Sequence, residues 1–345
     1  MATSVSVLAP GLLGHPSFAE AMANISLPGI EQLFDAIIDT IPASDRYDQQ
    51  LLSLLGANVS PDRIASLAKM LASETGGKAQ KASYLIASFV HLQADSGRLI
   101  MFGDDQLEVD ESETQQWLGE LEPLFEEHHI KAEAISPEHW LITSDKPLDS
   151  TFSPLSQVVG KDIHDFMPKG ANAMYWRSLM NEIQMQLHLS SENNGRQVQR
   201  RKVVNSMWLW GSGEQVNTNN CIWQGITTDD VLARLLAQRI GIGTIRSLKQ
   251  GDDLLNRNNA YQIIVDTSMA GPTARQDVDS WYQYLELFQA TVAAPIIQAL
   301  KSKEIKEVQL YPINGRAFRL RVGGFNPLRN FFGKRKHFVD YMAEV

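Results

Sequence analysis

Apolar residues recur along this chain with two different periods, and the alternation between them predicts its architecture. Val5-Ser6-Val7-Leu8-Ala9 is a short apolar run that reads as a buried strand ending at Pro10-Gly11. Residues 30–41 place Ile30, Leu33, Phe34, Ile37, Ile38 and Ile41 at helical spacing before Pro42. Further helices are expected around 48–55, stopped by Gly56, and from Ser60-Pro61 through Leu71, followed by a boundary at Gly76-Gly77-Lys78. Residues 84–92 and 98–102 read as strands flanking the turn Asp95-Ser96-Gly97. Residues 110–128 form an amphipathic helix with Trp117, Leu121, Leu124 and Phe125 on one face. A strand pair at 132–135 and 139–143 follows, then a proline-containing connection over 146–169.

The clearest helix is 172–189, with Trp176, Met180, Ile183 and Leu187 forming a core-facing seam. Beyond it are strands at 203–210 and 221–224, a helix starting near Thr227, a strand at 261–266, a long helix at 277–301 and a hairpin around Asn314-Gly315. Strands alternating with helices predict an α/β fold with a mixed, mainly parallel sheet flanked by helices. Three regions are expected: 1–80 as strand plus helices of the core, 81–170 as a β-rich insertion, and 171–345 as the rest of the core with a basic tail.

Composition narrows the function classes. The chain has 345 residues and a net charge of −9, which favours solubility and makes a nucleic-acid-coating protein an unfavoured reading. The single cysteine, Cys221, allows no internal disulfide and reads as a small apolar strand residue. The N-terminal apolar stretch has no charged flank and is too short for a secretion signal, and no apolar run reaches a membrane span. The expected location is cytoplasmic.

Candidate chemistry concentrates between residues 172 and 213. One position along from the seam, Arg177, Asn181, Gln184 and His188 form a polar stripe, with Glu182 beside it. Residues 196–202, Arg-Gln-Val-Gln-Arg-Arg-Lys, read as a cationic loop able to collect phosphate or carboxylate, or simply as a solvated one. In Asn205-Ser206-Met207-Trp208-Leu209-Trp210, strand alternation puts Ser206, Trp208 and Trp210 on one face, before the glycines of Gly211-Ser212-Gly213. His91, Asp95 and Arg98 gather at the first hairpin, where Asp95 and Arg98 can pair at the surface. The expected ligand site therefore comprises Asn181, Gln184, His188, Arg196, Asn205, Ser206, Trp208, Trp210, His91 and Arg98. Its expected occupant is a small anionic metabolite, with a protein partner as a further option.

No phosphate-binding loop, dinucleotide fingerprint, HExxH, CxxC or GxSxG sequence occurs. Gly241-Ile242-Gly243 has Arg246 where a third glycine is required, and Asp162, His164 and Asp165 are a thin basis for a metal site. No cofactor, metal ligand or catalytic residue is assigned. At the C-terminus Arg316, Arg319, Arg321, Arg329, Lys334, Arg335 and Lys336 interleave with Phe325, Phe331, Phe332 and Phe338, a pattern open to nucleic acid, anionic lipid or plain surface charge.

Several segments carry a family resemblance. Residues 90–95 (Val-His-Leu-Gln-Ala-Asp), His139-Trp140-Leu141, 176–188 and 205–213, together with Ala9-Pro10-Gly11-Leu12-Leu13, resemble the bacterial RpfE-type regulatory proteins. The Trp208–Gly213 segment is also similar to a strand of archaeal-type cofactor-independent phosphoglycerate mutases, in the alkaline phosphatase superfamily. The first resemblance implies a cytoplasmic regulatory protein. The second implies an alkaline-phosphatase-like core, which in those enzymes holds two metal ions with Asp and His clusters and uses a Ser or Thr nucleophile. Here Ala9-Pro10-Gly11 stands where an Asp-Gly metal motif would be expected. The expectation is a non-catalytic regulatory or ligand-sensing relative without that metal site. The alternatives are an active mutase-like phosphotransfer or phosphoester enzyme, and a nucleic-acid or protein interaction module.

Overall fold

The computed structural model describes residues 3–23, 25–57, 66–72, 82–103, 106–213, 221–249, 254–256, 258–321 and 338–342. In chain order the strands are β1 (Thr3–Leu8), β2 (Ile37–Pro42), β3 (Ser83–Asp95), β4 (Arg98–Phe102), β5 (Ile130–Ala134) and β6 (His139–Ser144). They continue with the two-residue β7 (Ser150–Thr151) and β8 (Lys169–Gly170), β9 (Ser206–Trp210), β10 (Gly225–Thr228), β11 (Thr244–Arg246), β12 (Tyr261–Val265), β13 (Ile305–Tyr311) and β14 (Arg316–Arg321). The chain divides into two units, one of Met1–Ala57 with Thr218–Val345 and one of Asn58–Asn217.

The first unit is built on a seven-stranded sheet in the order β11-β10-β12-β1-β13-β14-β2. β11, β10, β12, β1 and β13 pair in parallel; β14 and β2 are antiparallel additions at one side. Strands covered on both faces need continuous apolar runs. Val7 and Leu8 of β1 and Ile263, Ile264 and Val265 of β12 supply them, all nearly inaccessible. The helix Val278–Phe288 continues through a π turn (Gln289–Ala293) into Ala294–Lys301 and buries Trp281, Leu285, Phe288, Val292, Ile296 and Leu300. At the π turn the Gln289 side-chain carbonyl accepts from the backbone N–H of Gly29 (2.9 Å) and Ile30 (3.3 Å), capping the helix Pro28–Asp35.

Three expectations are corrected here. The helical spacing of 30–41 covers a helix that stops at Asp35 and a strand, β2, that pairs with β14. Ile37, Ile38, Thr40 and Ile41 are β-branched, and a partner edge overrides a spacing that fits both periods. Residues 221–224 lie outside any strand, with Cys221 half-buried; the strand is Gly225–Thr228. Thr227 and Thr228 belong to that strand, so the helix starts at Val231, and Asp230 is its N-cap, accepting from Ala233 N–H at 2.7 Å.

In the second unit the long β3 pairs antiparallel with β4, β6 and β9, and β5 joins β6. The β3–β4 turn has Ser96 at φ 48° and Gly97 at φ 84°, the double left-handed turn that matches strand twist. The helix Glu111–Glu127 starts in a capping box in which Asp110 accepts from Glu113 N–H and Glu113 accepts from Asp110 N–H. It packs on the sheet through aromatic contacts: Phe89 lies 4.8 Å from Trp117 and 5.0 Å from Trp140 between ring centres. The helix Ala173–Leu189 buries Trp176, Met180, Ile183 and Leu187, as its seam predicts.

The mixed, mainly parallel α/β fold with a separate β-rich part is thus formed. The unit with the antiparallel sheet includes the described residues 171–213. The expected helix start at Ser60, the boundary at Gly76-Gly77-Lys78 and the basic and aromatic residues from Phe325 to Lys336 lie outside the described residues. No described helix is long and apolar enough to cross a membrane.

Candidate functional site

A surface helix keeps for ligands only those polar groups that its own fold does not consume. On Ala173–Leu189, Arg177 donates through Nε and Nη2 to the Pro168 carbonyl at 2.9 and 2.7 Å. Glu182 accepts from Ser178 Oγ at 2.9 Å and lies 3.0 Å from His128 Nε2. His128, then Ser178, hold its carboxyl below the usual range. Asn181, Gln184 and His188 have no such partner among the described residues. These three converge with Met185, Leu189 and Asn205 on a groove of about 460 Å³, a volume within the range of ligand pockets.

The groove carries apolar as well as polar character. Met185 and Leu189 are 68% and 77% exposed, and Met174 and Val198 nearby in sequence are 83% and 85% exposed. Among the described residues these are the four most exposed large apolar side chains, and they fall within 25 consecutive positions. Clustering of this kind marks an interaction surface more than scattered single residues do. Sequence reasoning passed over Met185 and Leu189, although both stand off the Trp176–Leu187 seam of their own helix, which was the available signal.

Asn205 borders the groove while its amide works within the sheet. Its Oδ1 accepts from Leu92 N–H at 2.7 Å and its Nδ2 donates to Leu92 carbonyl at 2.8 Å. One side chain thereby extends the β3–β9 ladder past the end of β9 and fixes one border of the groove.

The other expected site residues lie elsewhere. Arg196 is 1% exposed, because residues 196–198 belong to a helix (Ser191–Val198) instead of the expected cationic loop. Its Nη1 donates to both Glu113 carboxylate oxygens at 2.7 Å, its Nε to Lys202 carbonyl at 2.7 Å, and Nη2 to Leu107 carbonyl. Arg201 joins the same carboxylate at 3.0 Å. Glu113 stands 83 residues away in sequence, and no local pattern could have paired it with Arg196.

Ser206, Trp208 and Trp210 share a buried sheet face. Trp208 donates to the Ser153 carbonyl at 2.9 Å, and Trp210 donates to Ser88 Oγ at 2.8 Å. Ser88 Oγ in turn is 2.7 Å from His139 Nδ1, a closed interior network. The tryptophans are core, not groove wall. His91 Nδ1 lies 2.9 Å from the Val203 carbonyl; burial first, and Lys202 second, push its imidazole below the ordinary 6.5 against the raising effect of that carbonyl. Arg98 pairs with Asp95 at 2.8 Å on the exposed hairpin, the surface arrangement its spacing allowed.

The two-cation centre implied by the resemblance to phosphoglycerate mutases would need clustered carboxylates and imidazoles. Among the described residues no group of three or more His, Cys, Asp or Glu is placed to hold a metal. Ala9 follows β1, Asp229 accepts from Ser247 Oγ, and Asp266 accepts from Ser268 Oγ at 2.6 Å and Ser268 N–H at 3.0 Å. Asp162 receives His164 Nδ1 at 2.7 Å and caps its own helical turn.

No known protein family and no curated protein matches the chain. Among solved structures it is similar to the PH0037 protein of Pyrococcus horikoshii, with a TM-score of 0.45 and 10% identity over 93% of this chain and 87% of that one. It is also similar to a cofactor-independent phosphoglycerate mutase of Thermoplasma acidophilum, with a TM-score of 0.40 and 9% identity over 93% and 89%.

Proposed function

We propose that the protein is a non-catalytic, regulatory binding protein whose working surface is the groove beside the Ala173–Leu189 helix. One observation carries this reading: Asn181, Gln184 and His188, unconsumed by the fold, meet two exposed apolar side chains around one groove. The RpfE-like segments support a regulatory role in the cytoplasm, since they include most of this helix. The ligand is uncharged rather than anionic, because Arg196 and Arg98, the cations of the expected site, are held by Glu113 and Asp95. Among the described residues no Lys or Arg lines the groove.

Thermal-shift measurements across two panels test this. Neutral amides, with N-acetylleucinamide as the reference probe, are expected to raise the melting temperature, and Gln184→Ala or Met185→Glu to remove the effect. Phosphorylated and carboxylated metabolites are expected to leave it unchanged. Turnover of phosphoglycerates or simple phosphoesters in the presence of Mn²⁺ or Zn²⁺ would overturn the reading.

A second reading, phosphoester chemistry at the carboxyl end of the parallel sheet, is favoured by Asp266. That carboxyl follows β12, is buried, and is raised in pKa by its burial and by the neighbouring Asp229 carboxylate. Loss of turnover in Asp266→Asn would support it.

A further inference from the structure

We infer that the groove and the apolar stripe beyond it seat an extended segment of a partner protein, uncharged and with apolar side chains at alternate positions. This rests on the binding reading above and names the class of ligand.

Length is the first argument. At 3.6 residues per turn, Asn181, Met185 and Leu189 all stand within about 60° of Met174 around the helix axis. The stripe from Met174 to Leu189 runs about 22 Å at a rise of about 1.5 Å per residue. A metabolite filling a 460 Å³ groove leaves Met174 uncovered. A polymer covers both.

Charge is the second. The chain carries a net charge of −9, yet Met174, Ser178, Asn181, Met185 and Leu189 bear none. Their charged helix neighbours Arg177 and Glu182 are bound to Pro168 and to His128 and Ser178. An uncharged occupant loses no ionic hydration here, and among the described residues no Lys, Arg, Asp or Glu lines the groove.

Backbone chemistry is the third. A helical ligand has its main-chain groups paired internally and offers side chains alone. An extended one brings free N–H and C=O groups. Asn181 and Gln184 each present a donor and an acceptor, and His188 presents one of each when neutral. Spacing agrees: Gln184 to His188 and Met185 to Leu189 are four residues each, a rise of about 6 Å. Same-side residues of an extended chain repeat at about 6.6 Å. Alternate peptide side chains can therefore meet Met185 and Leu189 while the intervening backbone meets the amides.

Binding of labelled synthetic peptides to the full chain, followed by fluorescence anisotropy, tests this. The probe is acetyl-Gly-Leu-Ser-Leu-Ser-Leu-amide; the controls are the same composition with its leucines adjacent, a helix-locked version rich in α-aminoisobutyrate, and free N-acetylleucinamide and adenosine as competitors. The alternating peptide is expected to bind saturably and more tightly than either peptide control. Gln184→Ala should weaken it about fivefold, the equivalent of one hydrogen bond. Met185→Glu and Met174→Glu, both at exposed positions, should abolish or weaken it further. Equal or tighter binding of the helix-locked peptide would overturn the extended geometry. Self-association on concentrating the protein, lost in Met185→Glu, would make a second copy the occupant and overturn the inference. If N-acetylleucinamide or adenosine binds and no peptide binds more tightly, the inference fails while the groove reading stands. If nothing binds, both fail.

Discussion

Arg196 and Glu113 form a two-oxygen ion pair at 2.7 Å with side-chain exposures of 1% and 6%, and this pair turns a basic stretch that reads as an anion collector into an internal clamp. Two buried charges are tolerable only while paired and otherwise hydrogen-bonded, and the Leu107 and Lys202 carbonyls complete the guanidinium's partners. Arg196→Ala is expected to destabilise the fold by about 3–5 kcal/mol, because it strands the Glu113 carboxylate. Replacing both residues with apolar ones of similar size should cost less than that single change. Urea unfolding of the three variants measures the difference.

Asn205 makes a separate and local contribution. Leu92 is 6% exposed, and the amide of Asn205 satisfies both of its outward backbone groups. Asn205→Ala should lower stability by about 1–3 kcal/mol through the unpaired buried groups. Asn205→Asp should be worse at neutral pH, since a carboxylate oxygen then faces the Leu92 carbonyl. Denaturant midpoints with hydrogen exchange at Leu92 would register both.

Asp266 gives the protein a pH signature. Burial, helped by the Asp229 carboxylate, raises its pKa above the ordinary 3.8, and the Ser268 bonds only partly oppose this. The unfolded chain then releases its proton at lower pH than the folded one. This group's stabilising contribution is complete below pH 3.8 and declines as pH rises through the raised folded pKa. Asp266→Asn, which keeps an acceptor for Ser268 and mimics the protonated acid, should match the wild type in acid and exceed its stability at neutral pH. Melting temperatures across a pH series decide it.

Gln289 and Gly29 are coupled across 260 positions. A Cβ on Gly29 would come within 2.6 Å of Gln289 Cγ, so Gly29→Ala must displace the capping side chain. Loss of the cap, by Gly29→Ala or Gln289→Ala, is expected to cost about 1 kcal/mol. The double variant should lose little more than either single one, as a thermal unfolding cycle would report.

Much of the fold was legible because its signals are local. The seam Trp176–Leu187, the Asp95–Arg98 turn and the apolar runs of β1 and β12 each declare their structure within a few residues. What escaped depends on distant partners. β2 is a strand because β14 lies beside it, and Arg196 is buried because Glu113 meets it. At the site the polar stripe was visible, since helical spacing alone brings Asn181, Gln184 and His188 together. Trp208 and Trp210 are buried in the sheet, because alternation gives a shared face without saying what covers it.

The central claim is best tested by methionine-methyl NMR of the labelled full chain, in which Met185 reports on the groove and the fully buried Met269 reports on the region following β12. Titration with N-acetylleucinamide should move the Met185 resonance saturably and leave Met269 in place, and 3-phosphoglycerate should move neither. A Met269 shift on adding 3-phosphoglycerate with Mn²⁺, with Met185 unmoved by every neutral amide, would contradict the account.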